Sequence, residues 1–251
     1  MSTIVGYNTN TDGLSLYLDA RNPNSYPGSG NTWFDLSTGV NNVSTGSMKY
    51  VNAGLTSSFS SSYVTGSTNT SSIDFYAPNL TTVATVETVC RFNNYNWSVN
   101  NSTIFGWYSY NAGFFPSNGV LYTGDANGTT IGVVLPNSGS SKNGSISVFG
   151  IWYYLVFEMN NGATGPLSMF NNKIWVNGVQ QTLSNSGTQN LSSQNFNNGN
   201  GALAKIPGVF PGFSNTCALN DYAMFRVYNR TLSQAEITNN YNYYKSFYNL
   251  Y

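Results

Sequence analysis

The chain carries nine side-chain carboxylates, Asp12, Asp19, Asp35, Asp74, Glu87, Asp125, Glu158, Asp221 and Glu236, and no histidine. Without an imidazole there is no Ser-His-Asp or Cys-His nucleophile and no histidine metal site. Hydrolysis of a glycosidic bond needs two carboxylates flanking that bond, one as acid and one as nucleophile or base. No two of the nine acids stand within three residues of each other, so no single strand or helix face presents such a pair. A hydrolase would have to assemble dispersed carboxylates from distant segments, and the sequence favours a protein that does no catalysis.

Two binding chemistries are better supplied. Hard cations take carboxylate and carbonyl oxygens. Asp125-Ala126-Asn127-Gly128-Thr129 offers two such side chains on a turn, with Asp221 a distant third. The alternative is an ordinary Asx turn before a strand at Ile131–Leu135. Sugar sites combine an aromatic platform with amide and carboxylate groups for the hydroxyls. Trp107, Tyr108 and Tyr110, with Asp125 and Asn127, supply both parts. Against that, Phe105 and Trp107 alternate as core residues would, leaving Tyr108 and Tyr110 outside, and exposed Tyr and Asn equally suit a protein interface.

The elements that must position these groups are strands. The 251 residues are 40% apolar and 16% aromatic but only 7% charged, enough for one large sandwich core. Asn, Ser, Thr and Gly supply most of the polar surface, and their side chains favour turns over helix interiors. Apolar runs recur between Gly and Asn clusters at Val83–Phe92, Thr103–Tyr108, Gly119–Thr123, Ile131–Leu135, Ser145–Phe149, Trp152–Met159, Lys173–Val176 and Tyr222–Val227. That spacing predicts an antiparallel sandwich spanning residues 1–251 as a single domain. In the first run Val86, Thr88, Cys90 and Phe92 face one way and Glu87, Val89 and Arg91 the other. Trp152–Met159 is apolar on both faces, as a doubly covered strand must be. Asn177-Gly178 signals a type I′ hairpin, and Leu183–Gly201 reads as a long Asn/Ser loop.

One helix is predicted, about three turns long, at the C-terminus. Ser233 and Glu236 form a capping box, Ile237, Tyr241 and Tyr244 share a face, and Lys245 lies near the negative end of the dipole. In Asp19-Ala20-Arg21-Asn22-Pro23 a strand breaks at Pro23, and Asp19 caps the loop or pairs with Arg21. Trp33 and Leu36 return bulk to the core. Asp35 accepts N–H groups of the Ser/Gly/Asn loop that follows it, and Asn229 has the same role before the helix.

Nine basic residues balance nine acids with no Lys/Arg cluster, which disfavours nucleic acid and anionic membrane surfaces as partners. No apolar run nears the ~20 residues of a membrane span, and the first residues lack a basic and apolar leader. Cys90 and Cys217 read as two buried free thiols rather than a disulfide.

Three stretches in order, Leu16–Pro23 running on to Ser37, Lys173–Val179, and Phe225–Ser233 with Ala235–Ile237 and Asn240–Asn242, resemble the laminin-G-like, concanavalin-A-like lectin/glucanase domains of phage and large-virus structural proteins. The resemblance spans residues 14 to 248. It implies an all-β, concanavalin-A-like antiparallel jelly-roll sandwich with one short C-terminal α-helix. It further implies a non-enzymatic virion protein, a capsid decoration, fibre or tail component located on the particle. Such a protein would partner capsid or tail proteins and other copies of itself, and would contact host-surface glycans. A carbohydrate-binding adhesion module is the alternative and a glycan hydrolase a weaker one. Glucanases of this superfamily carry Glu-x-Asp-x-x-Glu on one strand, which this chain lacks. Its laminin-G-like members often hold calcium near a rim and an acid two residues before the position of Phe225, where this chain has Ala223. No cofactor is expected beyond that possible calcium ion.

Overall fold

The structure, a computed structural model, describes residues 10–45, 49–51, 55–56, 59–60, 63–65, 73–77, 83–92, 102–107, 120–123, 130–134, 141–145, 151–160, 173–182, 184–186, 202–206 and 220–250. The N-terminal part contains β1 (Leu14–Asp19), β2 (Thr32–Trp33), β3 (Val43–Ser44), β4 (Lys49–Val51), β5 (Leu55–Thr56), β6 (Phe59–Ser60), β7 (Tyr63–Thr65) and β8 (Ile73–Ala77). The middle contains β9 (Val83–Phe92), β10 (Ser102–Trp107), β11 (Val120–Thr123), β12 (Thr130–Val134), β13 (Ser141–Ser145) and β14 (Trp152–Asn160). The last part contains β15 (Lys173–Val176), β16 (Val179–Gln180), β17 (Ser184–Ser186), β18 (Ala202–Ile206), β19 (Asn220–Tyr228) and the helix α1 (Gln234–Tyr248).

These strands form two large antiparallel sheets and two short hairpins, the all-β sandwich with one C-terminal helix that the sequence predicts. The first sheet runs β16-β15-β14-β9-β19-β7-β4, with β1 also paired to β19; the second runs β17-β13-β12-β11-β10-β18-β8. The core of the first sheet is β9, β14 and β19, buried on both faces. Alternation assigns Val86, Thr88 and Cys90 of β9 to one face and Glu87, Val89 and Arg91 to the other. On the second of these faces Val89 joins Tyr154, Val156, Trp175, Met224 and Tyr228 in a cluster with Ile237, Tyr244 and Tyr248 of α1. The helix therefore roofs that face. The register of β19 slips between Tyr222 and Met224. This bulge brings Asp221 and Met224 to the same side although they are three residues apart.

Helix α1 begins where the sequence says it should. The Ser233 hydroxyl accepts the Glu236 N–H, and the Glu236 carboxylate accepts the Ser233 N–H. It ends at Asn249 in the left-handed region, a conformation Asn tolerates. At 15 residues it is about a turn longer than predicted, because Phe247 and Tyr248 continue the packed face. The buried positions are Ile237, Asn240, Tyr244 and Tyr248, so a polar Asn240 replaces the half-buried Tyr241 in the expected stripe. Its start is fastened to the β15–β16 hairpin. Trp175 Nε1 donates to Gln234 Oε1 at 2.8 Å, and Gln234 Nε2 donates to the Gly178 carbonyl at 3.0 Å.

The hairpin turn has Asn177 at φ 50° and Gly178 at φ 80°, the positive pair of a type I′ turn. A side chain at Gly178 would press on the Tyr241 ring at 3.0 Å. Two sequence expectations need correction. A strand lies at Ser141–Ser145 rather than starting at Ser145, and the loop expected from Leu183 contains β17, paired with β13. Both strands are Ser, Asn and Gly-rich, held by backbone pairing, so a search for apolar runs passes over them. Residues 146–149 and 187–201 lie outside the described residues.

Candidate functional site

The described chemistry concentrates between α1 and the first sheet, where one rung crosses five strands: Tyr17, Arg226, Glu87, Val156 and Trp175. Side chains on one rung stand close enough to touch. Arg226 and Glu87 are 1% and 0% exposed, with Arg226 Nη1 3.5 Å from Glu87 Oε2. Glu87 Oε1 also takes the Tyr154 hydroxyl. Asn240 Nδ2 reaches down from the helix to both Glu87 oxygens, at 2.9 and 3.2 Å. Asn240 interrupts the apolar stripe because a buried carboxylate must be met by donors.

From Arg226 the network continues toward the N-terminal loop. Arg226 Nη2 donates to the Tyr244 hydroxyl at 2.9 Å, and its guanidinium lies 4.1 Å above the Tyr17 ring. The Tyr244 and Tyr17 hydroxyls both donate to Asp19 Oδ2, each at 3.2 Å. Asp19 Oδ1 accepts the Arg21 backbone N–H at 2.9 Å, and the Arg21 guanidinium stands 4.0 Å from that oxygen. Asp19 thus both caps its loop and faces Arg21. Burial, joined by the Glu87 charge, pushes the Tyr154 phenol well above its ordinary pKa and keeps it a hydrogen-bond donor. Burial alone would lower the pKa of Arg226, but the surrounding Tyr244, Tyr17 and Tyr228 oxygens and Glu87 outweigh it and hold the charge. A tyrosine beside a carboxylate can serve as a nucleophile on sugars. Here Tyr154 and Glu87 are both 0% exposed, so the network is a clamp between helix and sheet, closed to substrate.

At the C-terminal end of α1 this seam opens into a half-buried rim. Trp152 lies 4.9 Å from Tyr248 and 5.5 Å from Tyr63, centroid to centroid. Arg91 stands 4.9 Å over Trp152 and 5.0 Å over Tyr63. Its Nη2 and Nε both hold Asp221 Oδ2, at 2.6 and 2.8 Å. At the same end of α1 the Arg21 guanidinium lies 3.4 Å over Phe247, with Tyr243 edge-on to that ring at 5.2 Å. Each arginine is stacked on an aromatic ring and faced by its own buried carboxylate, so the rim is rich in aromatic edges and N–H donors yet locally neutral.

Of the site residues predicted from sequence, Trp107 is the last residue of β10, paired with Ala204 of β18. Its side chain, like Tyr108, Tyr110, Asp125, Asn127 and Cys217, lies outside the described residues. Asp221 is buried against Arg91 rather than offered to a cation, and among the described residues no three His, Cys, Asp or Glu side chains gather as metal ligands. Cys90 is a free buried thiol whose pKa burial pushes far up.

Asp35 accepts the N–H groups of Tyr17, Ser37 and Asn41 at 2.8–2.9 Å, and Trp33 is fully buried. Asn229 packs against the start of β1: its backbone N–H donates to the Gly13 carbonyl, and its Oδ1 lies 2.6 Å from where a Cβ on Gly13 would stand. The cap belongs to Ser233 and Glu236. Sequence reasoning missed the Glu87–Arg226–Asn240 group. Its signal was a charge in each of two strands covered on both faces.

No protein-family model matches the sequence, and no curated protein matches it. Solved structures do match in fold. Trypanosoma rangeli sialidase in complex with sialic acid superposes with a TM-score of 0.64 at 12% identity, covering 91% of this chain and 32% of that one. The binding domain of Paraclostridial Mosquitocidal Protein 1 gives 0.60 at 13%, covering 93% and 53%. The binding domain of Botulinum neurotoxin DC, in complex with rat synaptotagmin II, gives 0.58 at 13%, covering 93% and 52%. The chain spans between a third and about half of these structures, and the likeness establishes a lectin-like β fold.

Proposed function

We propose that this chain is a non-catalytic, lectin-like adhesion module, carried as a structural component on the outside of a phage or large-virus particle and contacting glycans of the host surface. The observation that carries the adhesion reading is the division of the helix-covered face. Its ionic chemistry is sealed, whereas the part that reaches solvent is an electrically neutral rim of aromatic edges and guanidinium N–H groups. Such amphipathic groups serve sugar rings and polar protein interfaces alike. Every carboxylate whose side chain is described has an arginine, a lysine or backbone and side-chain donors against it, which supports the non-catalytic reading. Display on a particle is supported by the resemblance of residues 14 to 248 to virion domains.

The test has two arms. Mass spectrometry of particles from the source of the gene should find the chain at many copies, and a glycan array should show binding by the purified chain. Absence from particles removes the virion placement; an empty array removes the glycan. Release of sugar from any array hit would overturn the non-catalytic reading.

A further inference from the structure

Of the arginines beneath and beside α1, Arg91 reaches solvent most: its side chain is 26% exposed, against 12% for Arg21 and 1% for Arg226. One rung of the first sheet carries Trp152, Arg91 and Asp221 on neighbouring strands β14, β9 and β19, so their side chains share a face. The guanidinium lies 4.9 Å over the Trp152 ring and 5.0 Å over that of Tyr63. An exposed guanidinium set between aromatic rings would by itself draw the carboxylate of an acidic sugar.

Asp221 changes that. Its Oδ2 takes Arg91 Nη2 at 2.6 Å and Nε at 2.8 Å, while its Oδ1, equally buried, has no hydrogen-bond partner. Among the described residues no second cation pairs with Asp221, so the Arg91 charge is spent inside the protein. A ligand carboxylate brought against Arg91 would meet the Asp221 charge directly behind the guanidinium. It would give up its hydration and gain no unpaired cation in return. An uncharged sugar suffers neither loss. Its hydroxyls can accept from the guanidinium edge that faces solvent, and its apolar face can lie on the Trp152 ring.

We propose that Asp221 is a specificity-determining residue of the rim: by neutralising Arg91 from behind, it makes the site one for uncharged sugars and excludes sugars that carry a carboxylate. This rests on the adhesion reading and names the class of glycan which that reading leaves open.

The test is an array of matched pairs, neutral hexopyranosides and the uronic acids of the same ring, probed with wild type and Asp221→Asn. Wild type should bind the neutral member at least tenfold more tightly, with an affinity that holds between about 0.01 and 1 M salt. Asp221→Asn keeps the side chain's shape and leaves Arg91 uncompensated. Its preference should move at least tenfold toward the acid, and its binding of the acid should weaken as salt rises. A variant that lowers both members alike, with the ratio unmoved, overturns the role of Asp221. Where the variant does not fold, the wild-type preference and its salt response decide. A wild type that favours the acids, or binds both members equally, overturns the proposal and leaves the adhesion reading standing. Binding to neither series removes the adhesion reading and this inference with it.

Discussion

The face of the first sheet beneath α1 uses the same ingredients twice, with opposite exposure. In the seam, Glu87, Arg226, Tyr154, Tyr244 and Asn240 are all at most 4% exposed. At the rim, Asp221 and Arg91 repeat the carboxylate–guanidinium–aromatic arrangement, but Arg91 is 26% exposed and Trp152 and Tyr63 are half-buried. The difference follows from which residues of α1 lie above. Asn240 and Tyr244 close the seam with donors matched to its acceptors, whereas at the other end the helix runs out at Tyr248. A polar cluster fully roofed by its own chain can only hold structure together. The same kinds of groups at a half-exposed edge are the ones proposed to meet a partner.

The largest effects should come from unbalancing the sealed seam. Glu87→Gln leaves the Arg226 charge buried without its counter-ion and should destabilise the fold by about 3–5 kcal/mol, read by chemical denaturation. The double variant Glu87→Leu/Arg226→Met removes both charges and should recover most of that loss. If the double variant is as damaged as the sum of Glu87→Leu alone and Arg226→Met alone, the two residues are not a coupled clamp. Trp33→Ala, in the N-terminal motif, should cost about 3–5 kcal/mol as a large buried ring is lost. Trp152→Ala at the rim removes a half-buried ring and should cost roughly half as much, its main effect falling on binding.

The smallest effects belong to the helix cap. Ser233→Ala should cost about 1 kcal/mol. The Arg230 guanidinium, with the Ser233 N–H and hydroxyl, draws the Glu236 pKa down from 4.5 to about 2 against the opposing effect of burial. A carboxyl whose folded pKa is depressed contributes stability that is fully present above about pH 4.5 and is lost as pH falls toward 2. The melting temperature of the wild type should therefore fall over that window more than that of Glu236→Gln. Parallel acid profiles would remove Glu236 from the account.

Much of this frame was legible in local signals. Asn177-Gly178 announced its turn because few residues accept two successive positive φ angles. Ser233 and Glu236 announced the helix because free N–H groups need acceptors at that spacing. The alternation of β9 assigned its faces correctly, since period two is a property of the strand itself. Pairing across the fold was not legible. Nothing in Glu87 or Arg226 names the other, because their adjacency is set by the registers of β9 and β19 and by the bulge at Ala223. Asn240 looked like one more polar helix residue until Glu87 lay beneath it. Strands β13 and β17 were missed because their stability comes from neighbours rather than from their own side chains.

The division between sealed seam and open rim is tested most directly by the affinity of three proteins for a glycan identified on the array: wild type, Trp152→Ala and Tyr154→Phe. Binding should fall at least tenfold in Trp152→Ala and stay within twofold of wild type in Tyr154→Phe, with all three folded at the assay temperature. Undiminished binding by Trp152→Ala, or loss of binding in Tyr154→Phe, would contradict the assignment of structure to the seam and recognition to the rim.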